Sequence, residues 1–183
     1  VLLNYQSPVG SSIATVGLSA QWADFQRNTT GLSGMTSAEG RRLHIEPSVR
    51  FGQHKSAGFW AAEAGYRYSQ YQLDYTDAVF ASTVADTRPN REVAYLSLDA
   101  GLFFDRQFSF AGINGTQTLE PRIYYLRQGY EGQDNLPIFD STSPALDYAQ
   151  LFRNNRFVGL DRIGDADQIT LGVTSRIFSA ANG

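Results

Sequence analysis

Ionisable side chains that could carry out catalysis are few in this sequence and widely spaced. The two histidines, His44 and His54, show no His-x-x-x-His or His-Glu-x-x-His spacing, and cysteine is absent. The glycine-rich stretches Gly31–Gly34 and Gly112–Thr116 lack the strand-to-helix setting of a phosphate-binding loop, so turns are the simpler interpretation. We therefore expect no enzyme activity, no metal site and no cofactor in these residues.

Charged residues instead recur at every second position, opposite apolar ones. In Arg41–Gly52, for example, Leu43, Ile45 and Val49 alternate with His44, Glu46 and Arg50. If such strands close into a barrel, the charged face lines the lumen, either as a water-filled pore or as a surface complementary to a partner inside it. Both alternatives stay open. The lumen-facing candidates are His44, Glu46, Arg50, Glu63, Arg67, Asp99, Glu120, Arg122 and Arg176.

Seven candidate strands would position these charges. They are Val1–Gln6, Ser12–Phe25, Arg41–Gly52, Gly58–Leu73, Arg91–Arg106, Thr116–Arg127 and Asp167–Phe178. Most of them exceed the roughly 5–6 residues of an ordinary strand and reach the roughly 9–11 that cross a bilayer, which argues against a soluble β-sandwich. The connections alternate between short and long, as in barrels with short periplasmic turns and long extracellular loops. We predict an all-β fold, an antiparallel transmembrane β-barrel segment of about seven strands from a larger barrel.

Composition agrees with this class. The net charge of −3 over 183 residues offers no basic field for nucleic acid. A mean hydropathy of −0.30 is too low for a helical membrane protein, whereas a barrel needs only one apolar face per strand. The sequence starts as if inside a strand and ends as if in a turn. We therefore expect residues 1–183 to form part of an outer-membrane barrel domain, with no complete second domain.

Two further expectations concern strand details. Pro47 and Pro121 fall in mid-strand, each after a glutamate, where proline cannot donate to the ladder, so we expect a β-bulge at each. Aromatic residues near strand ends are typical of the girdles that mark the membrane interfaces. The candidates for such girdles are Phe25, Tyr71, Phe103, Phe104 and Phe178.

Several longer motifs resemble one family. Q-T-L-E-P-R lies at Gln117–Arg122, D-N-L-P-I-F-D at Asp134–Asp140 and D-Y-A-Q-L-F-R at Asp147–Arg153. G-L-D-R-I starts at Gly159, and G-V-T-S-R-I-F ends at Phe178. Together they resemble the barrel of the LptD family, also called Imp or OstA, which assembles lipopolysaccharide (LPS) at the Gram-negative outer membrane.

This resemblance implies a non-enzymatic role. The segment would supply barrel wall and loops to the translocon that inserts LPS into the outer leaflet, with an outer-membrane porin or substrate-specific channel as the alternative. The implied partners are LPS, membrane lipid, an LptE-like lipoprotein plug and a periplasmic LPS-transport bridge reached through another domain. The segment Asp134–Arg162 would cap the barrel or contact the plug. Its candidate residues are Asp134, Phe139, Asp147, Phe152, Arg153, Phe157, Asp161 and Arg162.

Overall fold

A computed structural model describes residues 1–9, 13–83, 86–110 and 113–179. Its strands are β1 (Leu2–Val9), β2 (Ala14–Phe25), β3 (Ala38–Lys55), β4 (Gly58–Tyr75), β5 (Asn90–Leu102), β6 (Phe104–Phe110), β7 (Ile113–Gln128) and β8 (Ala166–Ser179). One short helix, α1 (Ala78–Thr83), and two 3-10 turns, Gly34–Ser37 and Gln150–Phe152, lie in the longer connections. Within the described ranges, no helix is long and apolar enough to cross a membrane.

The strands form one antiparallel sheet in which strands that are consecutive in sequence pair, except for β5 and β6. Strands β1 to β5 follow one another, β7 pairs with both β5 and β6 on one edge, and β8 pairs with the other edge of β7. Short connections join the strands at one end of the sheet, the short-turn end. The connections 26–37, 76–89 and 129–165 lie at the other, the long-loop end. The predicted all-β antiparallel fold is confirmed.

The expectation of bulges at the two prolines is wrong. Between the pairs Gly101↔Arg122 and Phe104↔Leu119, two residues go unpaired on each strand, so the register is unchanged. The same happens opposite Pro47, between Ile45↔Tyr68 and Ser48↔Gly65. A proline lacks the N–H for one ladder but still fits the ladder on its other side, so the sheet loses local bonds without an inserted residue. At Pro121 this gap divides the predicted strand Arg91–Arg106 into β5 and β6.

Alternation gives the sheet two unlike faces. One face, the apolar face, exposes large hydrophobic side chains along nearly the whole sheet. They include Val16, Leu18, Trp22, Leu43, Phe51, Trp60, Leu96, Leu98, Leu119, Ile123, Ile169, Leu171 and Val173. An exposed apolar surface this extensive indicates contact with lipid or with another apolar surface. The opposite side, the polar face, carries most of the charged residues of the strands.

The aromatic-girdle expectation fails for four of its five residues, because position parity decides which face a strand residue takes. Pairing places Phe25, Tyr71, Phe103 and Phe178 on the polar face. Phe25 stacks on Phe139 of the last long connection, with ring centroids 4.4 Å apart. Only Phe104 lies on the apolar face.

Candidate functional site: the polar face and the loop packed on it

The strand register brings the predicted lumen-facing residues together on the polar face. All nine share it, although they come from β3, β4, β5, β7 and β8. They form ion pairs across strands: Arg50 with Glu63 at 3.1 Å, Arg67 with Glu46 at 3.1 Å, Arg122 with Asp99 at 2.7 Å, and Arg176 with Glu120 at 2.6 Å. Nε2 of His44 lies 3.5 Å from the Glu46 carboxylate. The face is therefore charged and largely neutralised by its own pairs.

The connection 129–165, here called the cap loop, folds back over the long-loop half of the polar face. Its centre is Asp161, whose side chain is fully buried. One carboxylate oxygen accepts the backbone N–H groups of Phe139 and Asp140, each at 2.7 Å. The other oxygen accepts a 3.1 Å bond from the Tyr71 hydroxyl and pairs with the Arg42 guanidinium. Asp161 thus joins two parts of the loop to β3 and β4.

Two buried arginines of the sheet hold the loop. Arg42 makes a bidentate contact with Asp140, at 2.9 and 2.6 Å, in addition to its pair with Asp161. Arg91 donates from Nη2 to the carbonyl oxygen of Leu160 at 2.5 Å, and from Nη1 to that of Asp161. Both arginines are essentially inaccessible to solvent. Buried charges of this kind are tolerated only where they are paired and hydrogen-bonded, so their burial depends on the loop.

Farther along, the loop reaches the middle of the sheet through aromatic side chains. The Phe152 ring lies beneath the Arg122 guanidinium, 4.1 Å from its central carbon, and packs edge-on against Tyr124. Tyr148 lies beside Phe152, and Gly172 on β8 leaves the space that both rings occupy. Cation–π contacts of this kind are strongest where water is excluded. Arg122 therefore contacts the cap loop through Phe152 and also forms its ion pair with Asp99.

Amide side chains close the base of the loop. Gln133 donates to the Ile163 carbonyl at 2.7 Å and accepts from the Ile163 backbone N–H at 3.1 Å. Gln128, at the end of β7, bonds both to the Arg67 guanidinium and to the Gly164 carbonyl. These hydrogen bonds thus hold the two ends of the cap loop together.

The predicted cap residues divide into two groups. Phe139, Phe152, Asp161 and Arg162 pack against the sheet or within the loop, and Arg162 donates to the carbonyl of Gln133. Phe157 is half-buried under Arg156, whereas three others are exposed. The exposed ones are Asp134, Asp147 and Arg153. Sequence reasoning did not single out five residues of the site. Asp140 was covered only by the predicted cap segment Asp134–Arg162, and the signal for the other four was a polar position near a strand end or loop start. The five are Arg42, Arg91, Gln128, Gln133 and Asp140.

The loop carboxylates respond to these surroundings. Burial raises the pKa of Asp140, but the hydrogen bonds and positive charge of Arg42, together with hydrogen bonds from Asp161 and the Leu160 backbone, outweigh it and lower the pKa to about 2. Burial raises the pKa of Asp161, and the positive charge of Arg42 acts against that rise. Asp140 is therefore the carboxylate whose ionisation most clearly stabilises the loop.

The cap loop leaves the short-turn half of the polar face uncovered. There the side chains of Arg50 and Arg176 are about half exposed, at 52% and 55%. At the boundary with the covered half, Tyr95 donates to Glu63 at 2.9 Å, and its ring lies 4.2 Å from the guanidinium carbon of the buried Arg67. A shallow groove lined by Glu63 and Tyr95 runs towards Ser48 and along β1 and β2. This uncovered half offers both charge signs and hydroxyl groups to a partner.

Comparison with known proteins identifies the family. Residues 2–183 match LptD, described as LPS transport system D. The chain belongs to the LptD family. It is 42% identical over 163 residues to the LPS-assembly protein LptD of Pseudomonas aeruginosa (strain UCBPP-PA14), covering 86% of this chain. Identity to LptD of Xanthomonas oryzae pv. oryzae (strain MAFF 311018) is 43% over 147 residues, covering 80% of this chain.

These relatives are much longer than the chain. Each of the two alignments covers 18% of the relative, and that with LptD of Pseudomonas putida (strain GB-1) covers 17% at 39% identity. The names of the family and of these relatives concern LPS transport and assembly, which favours the LPS-assembly interpretation over the porin alternative. The described sheet accordingly corresponds to one part of an LptD protein.

Proposed function

We propose that this chain forms wall and cap of the outer-membrane barrel through which LptD proteins assemble LPS at the surface of Gram-negative bacteria. The observation that carries the proposal is the two-faced sheet, apolar on one side and charged on the other, in a chain of the LptD family. Only a closed barrel lets such a sheet meet lipid on one face while its backbone groups stay hydrogen-bonded. The apolar face meets lipid, and the polar face lines the lumen.

The cap loop, in this proposal, closes the lumen from the outside at this part of the wall. Its carboxylates pair with the buried Arg42 of β3, and its backbone carbonyl oxygens accept hydrogen bonds from the buried Arg91 of β5, so the loop lies inward and does not extend into solvent. A loop that covers the lumen wall in this way would obstruct a wide aqueous pore. It suits a barrel whose interior is occupied and whose cargo is an amphiphile.

The uncovered short-turn half of the polar face is proposed as the contact surface for the lipoprotein plug, an LptE-like protein. Its pairs Arg50–Glu63 and Arg176–Glu120 are exposed enough to exchange partners at an interface. Alternating charge of this kind favours specificity and correct orientation more than raw affinity. The periplasmic LPS-transport bridge would contact the full-length protein outside this chain.

Site-specific photo-crosslinking in the full-length protein tests the orientation and the partner together. A photoreactive residue replaces Ser48 or Thr118 on the polar face, and Leu98 or Val173 on the apolar face serves as the matched control. We expect the first pair to crosslink to a co-purifying lipoprotein and the second pair to lipid alone. Protein crosslinks from Leu98 and Val173 with none from Ser48 and Thr118 would reverse the assignment of the two faces.

A depletion experiment tests LPS assembly itself. Cells depleted of their own LptD receive the full-length protein with or without a deletion of loop residues 134–162. We expect the intact protein to restore LPS at the cell surface, measured by accessibility to an outer-leaflet modification enzyme. Failure of the intact protein to restore it, with normal membrane insertion, would contradict the proposed function.

A further inference from the structure

We propose a lipid-binding site on the apolar face of the sheet, where a groove at the long-loop end holds the phosphate group of a membrane lipid. The inference rests on the proposed function, since it takes the apolar face to meet the bilayer. The groove, here called the rim groove, is open and has a volume of about 430 Å³. Its lining residues are Trp22, Arg41, Leu43, Gln70, Tyr71, Gln72 and Arg88.

Strand pairing places two arginines in one row across the sheet. Arg41 on β3 lies opposite Gln72 on β4. The backbone bonds Tyr71 N–H to Pro89 O and Leu73 N–H to Thr87 O extend the β4–β5 ladder, so Arg88 lies opposite Gln72 on its other side. The two arginine Cα atoms are thus two strand spacings apart, about 10 Å. Both guanidinium groups and the amide between them can reach one phosphate-sized group.

The arginines of the rim groove are available to a ligand. Arg41 meets Asp24 at 3.3 Å, but its side chain is 58% exposed, and an exposed pair of this kind contributes little. Within the described residues, the Arg88 guanidinium has no hydrogen bond or ion pair; only its backbone N–H is bonded, to Asp86. The lining itself contains two arginines and no carboxylate. Its charge therefore suits an anion.

Carboxylates do lie near the groove, and besides Asp24 and Asp86 two more of them have partners. Glu39 accepts the backbone N–H of Arg27, and Glu92 accepts the Tyr66 hydroxyl at 2.5 Å. Asp74 lies one row further from the membrane, opposite Glu39. Glu39 and Asp74 lie on the loop side of the arginines, whereas Glu92 lies towards the bilayer, opposite Tyr68. None of the three lines the groove, so the charge of the lining stays positive.

The apolar side of the groove selects a lipid over a free anion. The next row towards the bilayer holds Trp22 and Leu43, which are 45% and 39% exposed. Below it the apolar face continues to Ile45 and Val16. Tryptophan is enriched where acyl chains meet headgroups, and arginine is the preferred bidentate partner of phosphate. A lipid can place its phosphate against Arg41 and Arg88 while its acyl chains contact Trp22 and Leu43 in the row nearer the bilayer.

The test uses the full-length protein in phosphatidylcholine nanodiscs, with bound lipid counted by native mass spectrometry. Purified LPS is titrated against wild type, Arg88→Gln, and the double variant R41Q/R88Q. Arg127→Gln is the matched control, because Arg127 lies on the same face near the same end, on β7. We expect the double variant to bind LPS about tenfold more weakly, as loss of charge-assisted contacts to phosphate implies, and R127Q to bind as wild type.

Two further arms identify the ligand. Dephosphorylated LPS is expected to bind wild type about as weakly as LPS binds the double variant, and inorganic phosphate at millimolar concentration is expected not to compete. Equal binding of LPS by wild type and double variant, or of both LPS forms by wild type, overturns the proposal. Competition by inorganic phosphate overturns the commitment to a lipid. A phosphate-bearing phospholipid that competes with LPS at equal affinity supports the site and shows that phosphate is what it recognises.

These outcomes are separable from failure of the proposed function. If the chain does not form part of a membrane-spanning wall, the wild-type protein itself does not insert into nanodiscs. Its mobility on a gel then does not change on heating, as that of a folded barrel does. If only the rim groove is misassigned, wild type and both variants insert and restore surface LPS alike, and they bind LPS equally. Because the Arg88 guanidinium makes no described bond, R88Q keeps the test valid even if the double variant folds poorly.

Discussion

The Tyr71 hydroxyl donates a 3.1 Å hydrogen bond to the buried carboxylate of Asp161, although the two residues are 90 positions apart. Tyr71 lies on β4, and Asp161 lies near the end of the cap loop. The same carboxylate orients the backbone at Phe139 and Asp140. One acidic side chain therefore ties two segments of a long loop to the wall, and the loop's position depends on it.

Replacing Asp161 with asparagine is expected to release the cap loop. The change removes one negative charge beside the buried Arg42, and breaking a buried ion pair typically costs about 3–5 kcal/mol. We expect hydrogen exchange of the backbone at 133–163 in the detergent-solubilised full-length protein to rise strongly, with little change in the strands. Asp134→Asn, at an exposed loop position, is the control. Unchanged protection of the loop in D161N would show that Arg42 and Arg91 hold it without Asp161.

Acid is expected to loosen the same loop through Asp140. Its folded-state pKa of about 2 lies below the ordinary value of 3.8, so its ionisation stabilises the loop above about pH 4, and this contribution is lost as pH falls towards 2. We expect exchange at 133–163, corrected for intrinsic rates, to be flat from pH 7 to 5 and to rise below 4. In Asp140→Asn the loop should already be loose at pH 7 and respond less to acid. A parallel response of both proteins would assign the acid effect to other groups.

Gly172→Ala is expected to displace the middle of the loop. A Cβ built at Gly172 lies 2.7 Å from the Phe152 ring and 2.7 Å from the Tyr148 hydroxyl, so one of these rings must move. Overpacking of this kind costs about 1–3 kcal/mol. We expect faster tryptic cleavage after the exposed Arg153 in the full-length protein.

Gly129→Ala is the matched control for that experiment, because a Cβ at Gly129 meets nothing within 4 Å. Its cleavage rate should equal that of wild type. Slow, wild-type cleavage of G172A would mean that the Phe152 and Tyr148 rings shift within the loop without disturbing its backbone.

The two halves of the polar face should differ in sensitivity to charge removal. Arg67 is buried and contacts Glu46, Gln128 and the Tyr95 ring, so Arg67→Ala should cost about 3–5 kcal/mol, as truncation of a buried pair does. Arg50→Ala removes an exposed pair worth about 0–1 kcal/mol. The measurement is the temperature at which the folded form of each variant, seen as a heat-modifiable band on a gel, disappears. Equal losses in R67A and R50A would contradict the division into covered and uncovered halves.

Plug binding should show the opposite order. Arg50 and Arg176 are exposed on the uncovered half, so their replacement by alanine should lower co-purification of the lipoprotein while leaving cap-loop exchange unchanged. Arg127→Ala, on the apolar face, is the control. Full retention of the lipoprotein by the double variant R50A/R176A would place the plug contact elsewhere.

Some of this site was predictable from spacing. Strand side chains alternate between faces, so the period of two in Leu43–Phe51 assigned His44, Glu46 and Arg50 to one surface before any pairing was known. The loop's aromatic and charged residues likewise indicated folded packing, and Phe152 and Asp161 do pack against the wall. The expected bulges were wrong because a missing N–H can be accommodated by a gap in one ladder with the register kept.

What the sequence determined by itself was the alternation: which residues share a face, how long the strands are and where the long connections lie. These properties follow from the local geometry of an extended backbone. The tertiary structure alone decided where the cap loop goes. As strand residues, Arg42 and Arg91 look like any polar end position, and they become buried only because Asp161, Asp140 and the Leu160 carbonyl come back over them. Burial of a charge depends on partners distant in sequence, and those appear only when the chain is folded.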